Sequence, residues 1–196
     1  MAPMARKSLP ELGPSVPQRG WAIGRALGRA VMWVAGWSFA GSVPDVAKAV
    51  LIVAPHTSNW DFVIGAAGML ALDLDLRFLG KHTLFKGPMG VLMRILGGIP
   101  LDRAHSSGVV DEMAARIKSS DHLLLALAPE GTRGEVTRWK TGFHGIARAA
   151  EVPILAVTLD YGRRQIRFRE VFMPSQDVEA DVAELQRFFF DSHGKR

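Results

Sequence analysis

The chain has 196 residues, 48% of them apolar, enough for one domain with a sizeable core. It contains no cysteine, which excludes disulfides, thiolate metal sites and any acyl-cysteine intermediate. A formal charge of +5 favours an anionic partner: nucleic acid, anionic lipid or a phosphorylated substrate.

Residues 1–20 carry four prolines together with Arg6, Lys7 and Arg19, and read as a flexible basic arm. No apolar core follows the early charges directly, as a signal peptide requires. Residues 21–41 read as an amphipathic helix. Leu27, Val31, Val34 and Trp37 form an apolar stripe, Ile23 and Trp33 broaden it, and Arg25 and Arg29 lie one turn apart. The uncharged run from Ala30 to Gly41 is 12 residues, against roughly 20 needed to span a bilayer. The pattern fits a helix lying in the membrane interface, cations toward headgroups and tryptophans at the boundary. The alternative reading is a terminal helix packed on the core of its own domain.

From Lys48 onward the pattern alternates. Strands are expected at Ala49–Val53, Leu76–Leu79, Ile99–Asp102, Leu123–Leu127, Ile154–Leu159 and Gln165–Val171. Helices are expected at Trp60–Leu72, Pro88–Leu96, Val109–Ser119, Val136–Ala150 and Val178–Phe190. The alternation predicts an α/β fold, a mostly parallel central sheet flanked by helices, preceded by the amphipathic membrane-interface helix. Gln165–Val171 reads as a half-exposed edge strand carrying Arg167 and Arg169 outward.

In such sheets ligands sit at the carboxyl ends of the strands. His56 follows the strand Ala49–Val53, and Asp61 follows His56 by five residues. If both were helical, five positions would place them about 140° apart at roughly 3.6 residues per turn. With His56 in the loop and Asp61 in the first helical turn, the carboxylate can orient the imidazole, which suits a general base. Ser58 and Asp61 also fit a capping box, so Asp61 has a purely structural reading beside the catalytic one.

Glu130, Gly131, Thr132 and Arg133 follow the strand Leu123–Leu127 in the same way. The Arg133 guanidinium is a planar fork suited to phosphate, and Gly131 permits positive φ or close approach of a ligand. Arg103 follows Ile99–Asp102, and Lys81, with Lys86 a little further on, follows Leu76–Leu79. Several cations at one sheet edge, together with His56 and Asp61, point to an anion pocket. His82, His105, His122 and His144 are dispersed and lack metal-ligand spacing, which points to surface or loop places; no metal and no cofactor is implied.

These blocks resemble a known family. His56-Thr57-Ser58-Asn59-Trp60-Asp61 resembles the H-x4-D motif of the glycerolipid acyltransferases, the lysophosphatidic acid acyltransferase-like group. Pro129–Arg133 resembles its E-G-T-R block, Ile99–Arg103 its short strand ending in Arg, and Val152–Val157 its V-P-I-x-x-V block. The resemblance covers about Lys48 to Tyr161, with the four motifs in order, and makes residues 42–196 an acyltransferase domain. It implies that His56 takes a proton from an acceptor hydroxyl with Asp61 orienting it. It further implies that the alkoxide attacks the thioester of acyl-CoA or acyl-carrier protein. Glu130, Gly131, Thr132 and Arg133, with Arg103, would hold the acceptor's phosphate, and Lys81, from its strand-end position, is a further substrate-binding candidate. No G-x-S-x-G serine is present, so direct transfer is preferred to an acyl-enzyme.

The expected partners are then a lysophospholipid, an acyl thioester and an anionic membrane surface. The expected location is peripheral, on the cytoplasmic face of the inner membrane. Pro55 and Gly134 stand where Asn and Ser are common in the family, and leave the acceptor open between a lysophospholipid and an amino-acid lipid of the lyso-ornithine type. A hydrolase and a non-catalytic lipid-binding protein are the other readings. Nucleic-acid binding rests on charge alone, since no aromatic–basic binding motif is present.

Overall fold

The computed structural model describes residues 9–55, 58–101, 108–131 and 139–189. Among them seven strands form one sheet: β1 (Ser38–Ala40), β2 (Lys48–Ala54), β3 (Leu76–Lys81), β4 (Gly98–Leu101), β5 (Leu123–Leu127), β6 (Ile154–Asp160) and β7 (Gln165–Phe168). Their order is β1-β7-β6-β2-β5-β3-β4, and every pairing is parallel except β6 with β7. The predicted α/β architecture with a mostly parallel sheet is therefore the observed one.

Strands buried on both faces read as continuous apolar runs, and the pleat divides them. Ala49, Leu51 and Val53 of β2 pack into one core; Val50, Ile52 and Ala54 pack into the other. The first core is covered by α1 (Ala22–Val34), α2 (Asn59–Ala71), a 3-10 turn at His82–Phe85 and α3 (Gly87–Ile95). The second is covered by α4 (Val109–Ser119), α5 (Gly142–Ala150) and α6 (Val178–Phe189). The sheet thus has two helical layers of different origin: the first half of the chain builds one, the second half builds the other.

Several elements differ from the expectation. Residues 9–20 are not a loose arm. Val16 is buried, Gln18 bridges Leu74, and the Arg19 guanidinium donates to the carbonyls of Leu74, Leu76, Ile95 and Leu96. The helix expected over 21–41 stops at Val34, because Gly36 turns the chain at φ 69°, and Ser38–Ala40 then pairs with β7. Consequently β7 is interior and β1 is the edge. The arginines expected to point outward are part-exposed and find partners on α6: Arg169 bonds Glu184 at 2.7 Å, and Arg167 lies over the Phe188 ring. Strand β7 ends at Phe168, short of the expected Val171. Helix α5 begins at Gly142 rather than Val136; Trp139–Thr141 are non-helical, and the Lys140 amide donates to the Pro129 carbonyl at 2.8 Å.

Helix α1 packs on α2 through Gly24, Gly28 and Met32. A Cβ at Gly28 would run into the α2 backbone at Ala67 and Ala71, so this glycine permits close approach at the expense of intrinsic helix propensity. Arg25 pairs with Asp73, and Arg29 donates to the Ala71 carbonyl. Both cations of α1 therefore meet the C-terminal end of α2, where the helix dipole is negative. The other side of α1 remains apolar and exposed at Ile23, Leu27, Trp33 and Val34.

Candidate active site

Strands β6, β2, β5, β3 and β4 run parallel, so their carboxyl ends form one edge. Asp61, Glu130–Gly131 and Lys81 all follow from that edge: Asp61 in the first turn after β2, Glu130 in the turn after β5, and Lys81 as the last residue of β3. The common edge anticipated for these residues is the observed one. His56, Arg103, Thr132 and Arg133 lie outside the described residues.

Asp61 is 3% exposed and sits at the third position of α2. Its Oδ2 accepts from the Ser58 amide at 2.7 Å, while the Ser58 hydroxyl accepts from the Trp60 amide at 3.0 Å. The capping box is thus real. It does not account for the whole side chain, because Oδ1 accepts from the Tyr161 hydroxyl at 2.7 Å, across 100 residues. A buried carboxylate held by two short bonds on two different elements is fixed in position and in rotamer.

Tyr161 was not among the residues singled out in the sequence. It is the only tyrosine of the chain and the first residue after β6, the strand beside β2. The rule that strand carboxyl ends line the site applies to it as it does to Glu130. Its ring meets Trp37 edge to face, centroids 4.9 Å apart. Burial and the adjacent Asp61 carboxylate raise the phenol's pKa well above its ordinary value, so the hydroxyl is a proton-bearing donor at any physiological pH.

Glu130 is buried in the turn Ala128–Gly131, closed by the Gly131 amide donating to the Ala128 carbonyl at 3.1 Å. Gly131 adopts φ 66°, and an added Cβ would press on the Lys140 side chain. Glycine is therefore favoured here by conformation, since the flexible end of Lys140 could move aside. Lys81 is exposed, in register with Leu101 of β4, and Lys86 is exposed beyond it.

His144 departs from its expected surface or loop place. It is fully buried on α5, and its Nε2 lies 2.8 Å from Asp181 of α6. Burial alone would raise the Asp181 pKa, but the bonds from His144 and from the Ser175 amide and hydroxyl outweigh it and hold the carboxyl below its ordinary value. This pair fastens α6 to α5. Among the described residues no group of three or more His, Cys, Asp or Glu side chains could hold a metal ion.

Residues 40–160 match the family model described as Acyltransferase. The chain belongs to the Acyltransferase family. It is similar to the "Probable 1-acyl-sn-glycerol-3-phosphate acyltransferase" of Mycoplasma pneumoniae, with 30% identity over 122 residues, 57% of this chain and 44% of that protein. It is also similar to human 1-acyl-sn-glycerol-3-phosphate acyltransferase beta, with 28% identity over 143 residues, 70% of this chain and 51% of that one. The chain spans about half the length of the curated relatives it matches. Its fold is that of the crystal structure of the 1-acyl-sn-glycerophosphate (LPA) acyltransferase PlsC from Thermotoga maritima, at a TM-score of 0.62 and 19% identity, covering 88% of this chain and 80% of the other. The family match covers β2 to β6 and the residues that follow β2, β3 and β5, and ends one residue before Tyr161.

Proposed function

We propose that this acyltransferase moves a fatty acyl group from an acyl thioester, of CoA or acyl-carrier protein, to the hydroxyl of a lysophospholipid such as 1-acyl-glycerol-3-phosphate, as a step of phospholipid biosynthesis. The observation that carries the reading is the Asp61 carboxylate, buried and held by Tyr161 at the strand edge that also bears Glu130, Gly131 and Lys81. A helix cap needs neither the burial nor the second, distant donor.

In this mechanism His56 accepts the proton of the acceptor hydroxyl while Asp61 orients the ring and balances its positive charge. The oxygen attacks the thioester carbonyl, the C–S bond breaks, and the departing thiolate takes the proton back from His56. Acyl transfer needs no covalent enzyme intermediate in this sequence of steps. Arg133, Arg103 and Lys81 hold the acceptor's phosphate, with the hydroxyl of Thr132 and the backbone at Gly131 completing the pocket. Glu130, buried in the same turn, lines the pocket beside Gly131.

The reaction takes place at the membrane surface, on the cytoplasmic face, where the lipid acceptor resides. Among the described residues no helix is long and apolar enough to cross a membrane. The outward apolar face of α1 supports attachment from one side.

The phosphate pocket has a direct test. Arg133→Ala is expected to raise the acceptor's KM by roughly 10–100-fold, the equivalent of a lost charged hydrogen bond of about 1.5–3 kcal/mol, and to leave the donor's KM unchanged. Unchanged acceptor affinity would remove Arg133 from the pocket.

A further inference from the structure

Among the described residues the exposed large apolar side chains are concentrated on one side of the sheet. Fourteen are exposed among the described residues, and twelve of them lie between Trp21 and Ile95. That segment supplies α1, α2, the 3-10 turn and α3, which all cover the same face of the sheet. The other two, Val171 and Met173, sit in the loop before α6. None is on α4, α5 or α6.

Helix α3 is the extreme case. It buries only Gly90 and Met93, while Met89, Val91, Leu92 and Ile95 are 46–57% exposed. A nine-residue helix that offers apolar groups around most of its circumference has no reason to do so in water. Its charges point the same way. Lys81, Lys86 and Arg94 are exposed along or beside it. In α1, α2, the 3-10 turn and α3 the only acidic residue is Asp61, which is buried. The opposite layer exposes Asp111, Glu112, Glu179 and Glu184. The exposed charges on these helices and the 3-10 turn are therefore cationic, whereas the opposite helical layer is mixed in charge.

Arg19 joins the two exposed helices. It donates to the Ile95 and Leu96 carbonyls at the end of α3 and lies two residues before Trp21, where α1 begins. Helices α1 and α3 contribute to the same core on one face of the sheet, and on the outer side of α1 Ile23, Trp33 and Val34 are 75–81% exposed.

We propose that Lys81–Ile95, the 3-10 turn with α3, is a second membrane anchor that together with the outer side of α1 seats this face on an anionic lipid bilayer. The charge complementarity selects the occupant: an apolar helix flanked by cations and lacking exposed carboxylates matches anionic headgroups above acyl chains. The anchor leads directly from the end of β3, so it sets the strand-end site at the level of the headgroups, where a lysolipid presents its hydroxyl. This deepens the reading of a membrane-surface acyltransferase and rests on it.

The test compares the wild-type full chain with Leu92→Gln/Ile95→Gln, two exposed positions whose replacement leaves the core untouched. Co-sedimentation is measured with vesicles of phosphatidylcholine alone and of phosphatidylcholine mixed with phosphatidylglycerol. The variant should bind the mixed vesicles roughly tenfold or more weakly, with unchanged thermal melting, and the wild type should bind phosphatidylcholine alone more weakly than the mixture. Transfer to a short-chain, monomerically dissolved lysophosphatidic acid is measured beside it and should be equal in the two proteins. Vesicle binding unaffected by the double substitution would overturn the proposal. So would wild-type self-association that the substitutions abolish without any change in vesicle binding, since the face would then belong to a second copy. If the wild type binds vesicles through α3 yet transfers no acyl group to the dissolved acceptor, the anchor stands and the activity assignment fails.

Discussion

Replacing Asp61 with asparagine is expected to lower kcat by about 10²–10⁴-fold, the range of an oriented general base. The substitution is chosen because it separates the two roles of this side chain. Asparagine is isosteric and its carbonyl oxygen can still accept from the Ser58 amide, so the cap of α2 is largely retained and stability should fall by no more than about 1 kcal/mol. What is lost is the negative charge. The amide nitrogen also cannot accept from Tyr161, so one of the two short bonds that hold the side chain must break or reverse. A protein in which Asp61 only caps a helix would keep its turnover. Tyr161→Phe removes the same bond from the other side and should cost about tenfold in kcat with little change in KM, because the ring and its contact with Trp37 remain. Its effect should vanish in the Asp61→Asn background. If the two effects multiply instead, Tyr161 does not act through Asp61.

The second large effect concerns stability. Arg19→Met should destabilise the fold by about 3 kcal/mol, read as a lower urea midpoint at unchanged slope and a melting temperature lower by about 10 °C. The guanidinium is mostly buried and donates to four carbonyls on three parts of the chain: the turn after α2, the start of β3 and the end of α3. Methionine fills similar volume but leaves those carbonyls without their charged partner. A flexible arm would predict a change within about 0.5 kcal/mol. The same loss frees the end of α3, so vesicle binding should weaken along with stability.

Much of this fold could be read from the order of residues because the central strands are buried on both faces. Strands β2, β5 and β6 are runs of Leu, Ile, Val and Ala bounded by turns, and their neighbours alternate with helical stripes. The strand-end rule alone places Asp61, Glu130 and Lys81 at one edge. What was not legible is what depends on distant pairing. Strand β1 has three residues and no periodicity, and exists because β7 offers it a free edge. The docking of Arg19 is a matter of carbonyls, which no side-chain pattern announces. His144 stands alone in the sequence, and its partner Asp181 is 37 residues away. Tyr161 is an intermediate case: its place after β6 was available by the rule already applied to Glu130, but its target could be known only once β6 was found beside β2.

The central claim is acyl transfer by His56 with Asp61, and the most direct measurement is product analysis. Purified wild type and His56→Ala are each given labelled acyl-CoA or acyl-carrier protein with a panel of lysophospholipids and lyso-amino-acid lipids. Formation of a diacyl phospholipid by the wild type alone is the predicted result, and it names both acceptor and donor. Free fatty acid as the product, or diacyl lipid made equally well by His56→Ala, would contradict it.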